Sequence, residues 1–203
     1  MTLTTVLFAG GESRRMGMDK ATIPYRNRLL WSRQICVLRE LQPERIQISA
    51  RSRPAWASTE IESVLDEPPS RGPLSGLVAA FRDLRTTHLL ALAIDLPEMT
   101  SEHLKKLLAL TQPGVGVIPF GGRRFEPLAA IYPAGAAALA EEELADNRLS
   151  LQSLAQRLSG ERMALIYSLS EEELRLYHNV NSPEDLQRMG RYIGSNIDLH
   201  NVQ

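Results

Sequence analysis

The run Leu89–Ile94 (LLALAI) has six consecutive apolar side chains and stops at Asp95. A strand with one wetted face alternates polar and apolar residues, whereas a strand buried on both faces reads as an unbroken apolar run. Two buried faces require layers above and below the sheet, and in a parallel sheet these are the crossover helices. The rest of the chain supplies such layers. Thr5–Ala9 reads as a strand, and Trp31, Ile35, Leu38 and Leu41 follow at helical spacing. Ile46, Ile48 and Ala50 alternate as a strand, and Val64–Leu65 is a shorter one that ends at Asp66. Leu74, Leu77, Phe81 and Leu84 mark a second helix, and a third starts near Ser101 with Leu104, Leu107 and Leu108 on its face. GVGVIPF and FEPLAAIY read as strands, the second a candidate antiparallel one. Helices are expected over roughly 134–158, a late strand at MALIYSL, and a last helix from Ser182, with Pro183 at its first position and Asp185 at its third.

This alternation predicts an α/β fold: one doubly wound, mainly parallel sheet with helices on both faces and right-handed crossovers. The 203 residues suit one domain, expected over 1–190, with 191–203 a frayed tail. At 43% hydrophobic and 23% charged the chain has a soluble profile. Its net charge of -1 excludes a general polyanion binder, so no nucleic-acid partner is expected. No apolar run approaches the roughly 20 residues that span a bilayer, and MTLTTVLF lacks the features of a signal peptide. A cytoplasmic protein with no membrane contact is the expectation. The single cysteine, Cys36, excludes a disulfide framework and reads as a small buried hydrophobe.

Ligands of open α/β sheets bind beyond the carboxyl ends of the strands. Three such ends carry unusual polar sequence here: AGGESRRMGMDK, DEPPSRGPLSG and DLPEM. Gly10 and Gly11 permit unusual backbone conformations and close approach to main-chain N–H groups. With Arg14, Arg15 and Lys20 they suit a polyphosphate, arginine gripping two oxygens and lysine acting as a point charge. An isolated Arg-Arg pair reads as a solvated turn; the glycine pair directly after a buried strand favours the cradle. The loop matches neither G-x-G-x-x-G nor the Walker pattern, which disfavours hydride transfer and P-loop ATPase chemistry.

Asp95, at the mouth of the buried strand, suits a hard cation such as Mg²⁺. Its bland role, a helix cap, is more naturally filled by Thr100 or Ser101. Asp66, Gly72 and Gly76 either pack a helix against the sheet or present groups to a base or ribose. A nucleoside triphosphate held this way could be attacked at its γ- or its α-phosphorus, as a kinase or a nucleotidyltransferase would do. None of the four histidines falls in these loops, so direct in-line displacement is simpler than a phospho-histidine route.

Together and in this order the motifs resemble the nucleotidyltransferase superfamily, and within it most nearly the molybdenum cofactor guanylyltransferases. LFAGGESRRMGMDK matches that family's Leu-Ala-Gly-Gly-x-Ser-x-Arg-Met-Gly-x-Asp-Lys. DEPPSRGPLSG, IDLP, EPLAAIY and NVNSPEDL match its later elements, over about residues 5–187. The resemblance implies a Rossmann-like nucleotidyltransferase fold. It also implies an Mg²⁺-dependent enzyme that joins GMP from GTP to molybdopterin and releases pyrophosphate. It implies that Phe8, Ala9, Gly10, Gly11, Lys20, Asp66, Gly72 and Asp95 contact the nucleotide. Arg15, Lys20 and Asp95 would be its catalytic residues, with Asp95 on the metal and Asn179 and Asn181 toward the pterin. Transient contact with molybdenum cofactor insertion proteins or molybdoenzymes follows as a partner expectation. The chain departs from the family at Phe8, at Ser70 where a glycine is usual, and at Ile94 where cysteine is common. A cytidylyltransferase of the same cofactor, a sugar-phosphate nucleotidyltransferase and a catalytically silent nucleotide-binding module are the alternatives. Arg26 and Arg28 read as surface charge, and Arg123–Arg124 as an exposed basic hairpin or a hold on an anionic substrate.

Overall fold

The computed structural model describes residues 1–10, 19–66, 70–181 and 185. Strand β1 is Leu3–Phe8; a hairpin of β2 (Pro24–Tyr25) and β3 (Arg28–Leu29) precedes helix α1 (Leu30–Arg39). Then come β4 (Arg45–Ala50), β5 (Glu62–Leu65), α2 (Pro73–Arg82), β6 (His88–Ala93) and α3 (Ser101–Leu108). The second half holds β7 (Gly116–Phe120), β8 (Ala129–Pro133), α4 (Ala136–Ala145), α5 (Leu151–Gly160), β9 (Ala164–Ser168) and α6 (Glu171–Leu174). Among the described residues no helix is long and apolar enough to cross a membrane.

Seven strands form one sheet in the order β5-β4-β1-β6-β8-β7-β9. Pairing is parallel from β5 to β6 and again between β7 and β9. Only β8 runs the other way, antiparallel to both β6 and β7. The expected fold is therefore present, including the antiparallel strand read from FEPLAAIY. The apolar run at 89–94 explains itself in the core. Leu90 and Leu92 pack on one face with Leu38, Leu104 and Leu107, while Leu89 and Ala91 pack on the other with Leu77, Phe81 and Leu154. Alternate side chains of a strand point to opposite faces, so an unbroken apolar run is what two helical layers demand.

Three local expectations change. Leu41 and Leu84 lie beyond the ends of their helices. Cys36 is half-buried rather than buried, and its Sγ lies 3.3 Å from Nη1 of Arg28. Arg26 and Arg28 belong to the small hairpin, where Arg26 and Asn27 take positive φ values of 47° and 63° as a two-residue turn requires. Arg26 is also paired with Glu98 at 3.0 Å, so it is not idle surface charge. The last helix and the tail lie outside the described residues.

Candidate active site

Chain order reverses between β1 and β6: β4 and β5 lie on one side of β1, and β6 with its neighbours on the other. A crevice opens where two parallel strands send their connections to opposite sides, here between Phe8-Ala9-Gly10 and Ala93-Ile94-Asp95. The strand ends are held in register, since Ala9 N–H donates to the Ser49 carbonyl (2.9 Å) and Ile94 N–H to that of Phe8 (3.1 Å). Gly10 does not occupy the left-handed region, and a Cβ built there would meet Ala50 Cα at 3.7 Å, an ordinary contact. The expectation of a conformation closed to other residues is corrected at Gly10: glycine there keeps the wall of the crevice low. Gly11, Arg14 and Arg15 lie outside the described residues.

Lys20 opens a single 3₁₀ turn, Lys20–Thr22, capped by Asp19. One Asp19 oxygen accepts from Ala21 N–H (3.0 Å) and the other from Trp56 Nε1 (2.8 Å), which fixes the turn against the fold. Lys20 Nζ thereby stands 3.3 Å from Asp95 Oδ2 and 2.8 Å from Asn181 Oδ1. Asp95 does not cap α3, because Thr100 does so through His103 N–H. Its backbone carbonyl instead accepts from Val180 N–H at 2.9 Å. Val180 is fully buried and acts as a plug, with Asn181 on Lys20 and Asn179 lining a neighbouring cavity. Asn181 N–H donates to the Asp185 carboxylate at 2.9 Å.

Asp66 sits at the end of β5. Its Oδ2 accepts from the hydroxyls of Ser70 (2.7 Å) and Ser75 (3.3 Å), while its Oδ1 is buried and has no hydrogen-bond partner among the described residues. A buried carboxylate oxygen left unpaired is costly unless something bonds to it. The departure at Ser70 is thus absorbed locally: its hydroxyl goes to Asp66. Gly72, at φ 85° and ψ -164°, is the N-cap of α2, a conformation reserved for glycine, and Pro73 follows in the first turn.

These groups face three adjoining cavities. One of about 170 Å³ is lined by Phe8, Gly10, Ser49, Asp66, Gly72 and Gly76. One of about 130 Å³ holds Ala9, Gly10, Lys20 and Asp95. The third, about 270 Å³, is lined by Asp95, Leu96, Arg124, Glu126, Leu128 and Asn179. Pro73 borders all three, and Asp95 is shared by the second and third. No histidine among the described residues lines any of them. Phe8, a departure from the family pattern, is buried yet contributes to two walls.

Two residues of the third cavity carried no role in the sequence reading. Burial pushes the Glu126 carboxyl above its ordinary pKa, and Arg124, 3.1 Å away, offsets part of that. Gln152 clamps the cavity wall by bonding both N–H and carbonyl of Phe125, each at 2.9 Å. Glu126 stands in the quoted EPLAAIY element, and its place before an antiparallel strand is the signal that could have marked it.

With this geometry in place, likeness to known proteins is informative. A profile of the MobA-like NTP transferase domain matches residues 5–162. A probable molybdenum cofactor guanylyltransferase of Opitutus terrae is 36% identical over 192 residues, covering 93% of this chain and 95% of that protein. Molybdopterin-guanine dinucleotide biosynthesis protein A from Archaeoglobus fulgidus superposes with a TM-score of 0.68 at 24% identity, covering 91% of this chain and 95% of its own. The 2-C-methyl-D-erythritol 4-phosphate cytidylyltransferase from Thermus thermophilus does so with 0.64 at 11% identity, over 90% and 95%. At such identities the two solved structures speak for the fold alone.

Proposed function

The chain belongs to the MobA-like NTP transferase domain family, and from that premise we propose that it transfers GMP from GTP to the terminal phosphate of molybdopterin, with release of pyrophosphate. The observation that carries this reading is the Lys20–Asp95 pair at the junction of two cavities. A nucleotidyl transfer needs one substrate on each side of a reacting phosphorus. The Asp66 cavity suits the nucleoside, because the Asp66 carboxylate on its wall is an acceptor-only group, matched to the ring and amino N–H groups of guanine. The third cavity suits the acceptor.

In the proposed reaction an oxygen of the acceptor phosphate forms a new bond to the α-phosphorus. The bond from that phosphorus to the α–β bridging oxygen breaks, and pyrophosphate leaves with the electron pair. Catalysis of such a step is mainly positioning and charge neutralisation. Lys20 supplies positive charge at the junction, and the bonds of Asp19 to Ala21 and Trp56 keep that lysine in place.

The residues also fit Mg²⁺ bound together with a triphosphate. Asp95 is a largely buried carboxylate that already attracts a cation, the Lys20 ammonium. The described residues hold no cluster of three or more metal-ligating side chains, so phosphate oxygens and water would complete the shell, as is usual for this ion. When bound, Mg²⁺ would neutralise charge building up on the phosphates.

The test is pyrophosphate release with Mg²⁺ and each of GTP, CTP, ATP and UTP, offered with molybdopterin and then with sugar 1-phosphates. Turnover with GTP and molybdopterin alone is expected. Turnover with CTP instead would reassign the base, turnover with a sugar phosphate would reassign the acceptor, and no turnover would favour a silent module.

A further inference from the structure

Glu126 is a carboxylate in the wrong place for a structural ion pair. Its side chain is only 17% exposed, whereas that of its partner Arg124 is 65% exposed. A guanidinium mostly in water compensates poorly for taking a carboxylate out of water. Only Oε1 is engaged, by Arg124 Nε; among the described residues Oε2 has no hydrogen bond. The backbone leaves the side chain little freedom to escape, because Glu126 N–H is tied to the Pro119 carbonyl at 2.8 Å. Around it the cavity wall is largely apolar: Leu96, Phe125, Pro127, Leu128 and Leu151. An acceptor-only group set in an apolar cleft calls for a flat ligand that presents N–H donors at its edge.

The same cavity is also lined by Asp95, which pairs with Lys20. A phosphate is attracted by Lys20 and repelled by Glu126, so a ligand carrying both a phosphate and a flat ring is oriented by the two groups. Resting on the proposed function, we infer that Glu126 is the residue that selects the acceptor, its carboxylate accepting from the adjacent ring N–H and 2-amino group of the pterin pyrimidine edge. The cavity, at about 270 Å³, lies just under the roughly 300–1,000 Å³ usual for small-ligand sites, which suits a bicyclic ring. Asn179, on the same wall, would bond the pterin or its side chain. Arg124 shields the carboxylate and turns toward solvent when Glu126 takes the ring edge.

Glu126→Gln keeps the size and one acceptor oxygen but turns an N–H₂ group toward a ligand donor. Losing a hydrogen bond to a charged group costs roughly ten- to a hundredfold in affinity. The expected result is a rise of that size in the KM for molybdopterin, with the KM for GTP within twofold of wild type. Binding of a fluorescent, fully oxidised pterin phosphate should weaken in parallel. A wild-type enzyme that turns over while Glu126→Gln shows an unchanged acceptor KM overturns this assignment and leaves the reaction standing. Equal rises in both KM values together with a lower unfolding midpoint would make Glu126 a prop of the hairpin and also overturn it. Absence of turnover by the wild type overturns the reaction and the assignment with it. Glu126→Asp, which retains the charge on a shorter arm, should recover part of the pterin phosphate binding; no recovery counts against the carboxylate contact.

Discussion

Replacing Gly76 by alanine would insert a methyl group where α2 crosses the nucleoside cavity. A Cβ there would stand 2.5 Å from Ser49 Oγ, 2.9 Å from Asp66 Oδ1 and 3.3 Å from Phe8 Cε1, all inside the 3.4–4 Å of ordinary contact. None of these atoms is backbone. The Ser49 hydroxyl can rotate, the Phe8 ring can yield a few tenths of an ångström, and Asp66 must swing its free oxygen aside. Overpacking of this kind costs about 1–3 kcal/mol, and alanine in a helix interior returns roughly 0.5–1 kcal/mol over glycine. The net loss of stability should be no more than about 2.5 kcal/mol, so the variant folds. The displaced carboxylate is the one assigned to the base, however, and a hydrogen bond to a charged group is worth roughly 1.5–3 kcal/mol, or ten- to a hundredfold in Kd. Calorimetric titration with GTP and urea unfolding on the same samples measure the two effects. Removing the hydroxyl in the double variant G76A/S49A relieves the shorter contact but not the one with Asp66. Stability should recover there while affinity stays low. A folded G76A protein with wild-type affinity for GTP would refute the placement of the nucleoside against Asp66.

Three further outcomes are expected. Gly116→Ala sets a Cβ 2.0 Å from the Ile131 carbonyl oxygen, a backbone atom that cannot rotate away, so β7 and β8 must part; a loss of about 3 kcal/mol is expected, and an unchanged urea midpoint would contradict it. Asp95→Asn should abolish most turnover while shifting unfolding by less than about 1 kcal/mol, because Asp95 caps no helix; an unfolded variant would show a structural role instead. Glu173 is held down to about 2: burial alone would raise it, but Lys106, the Ser170 N–H and Tyr167 together outweigh burial. Its folded pKa lies below the unfolded value, so its contribution is complete above about pH 4.5 and fades as pH falls toward 2. With Lys106 half in water that contribution is about 1–2 kcal/mol, and Glu173→Gln should flatten the acid limb of a stability profile measured from pH 7 to 2.5.

The layers and the crevice were legible because both follow from rules of periodicity and strand direction. LLALAI announces two buried faces, and Asp95 falls at the crevice because it closes that run. Residue type narrows the cap of α3 to Thr100 or Ser101, and Thr100 fills it. Other features depend on contacts that no local pattern encodes. Lys20 meets Asp95 and Asn181 across 75 and 161 residues. The β2–β3 hairpin has two-residue strands and turns through Arg26 and Asn27 at positive φ, with no glycine to signal it. In the sequence Gly76 fits either helix packing or ligand approach, and only the proximity of Ser49 and Asp66 shows why a side chain is unwelcome. Glu126 could be quoted as part of a motif, but its role depends on the depth of a cavity.

That depth has a cause in the single reversed strand. Because β8 is antiparallel to β6, its first residue, Ala129, pairs with Leu92 near the end of β6. The segment entering β8 therefore arrives at the same sheet edge as Asp95, and Ala93 N–H seals the junction on the Leu128 carbonyl at 2.7 Å. Strand β7 runs parallel to β6 and also ends at this edge, so the 121–128 connection stays at the site from start to finish. A parallel strand in the place of β8 would enter from the opposite edge and carry Glu126, Pro127 and Leu128 away from the crevice. The cavity assigned to the nucleoside is built from strand ends and the start of α2, which the core fixes. The cavity assigned to the acceptor is built from one hairpin connection, held by Gln152 and the Arg124–Glu126 pair. Changes of length or sequence in that connection leave the sheet intact, so under the proposed function the acceptor would change while the nucleotide chemistry stays.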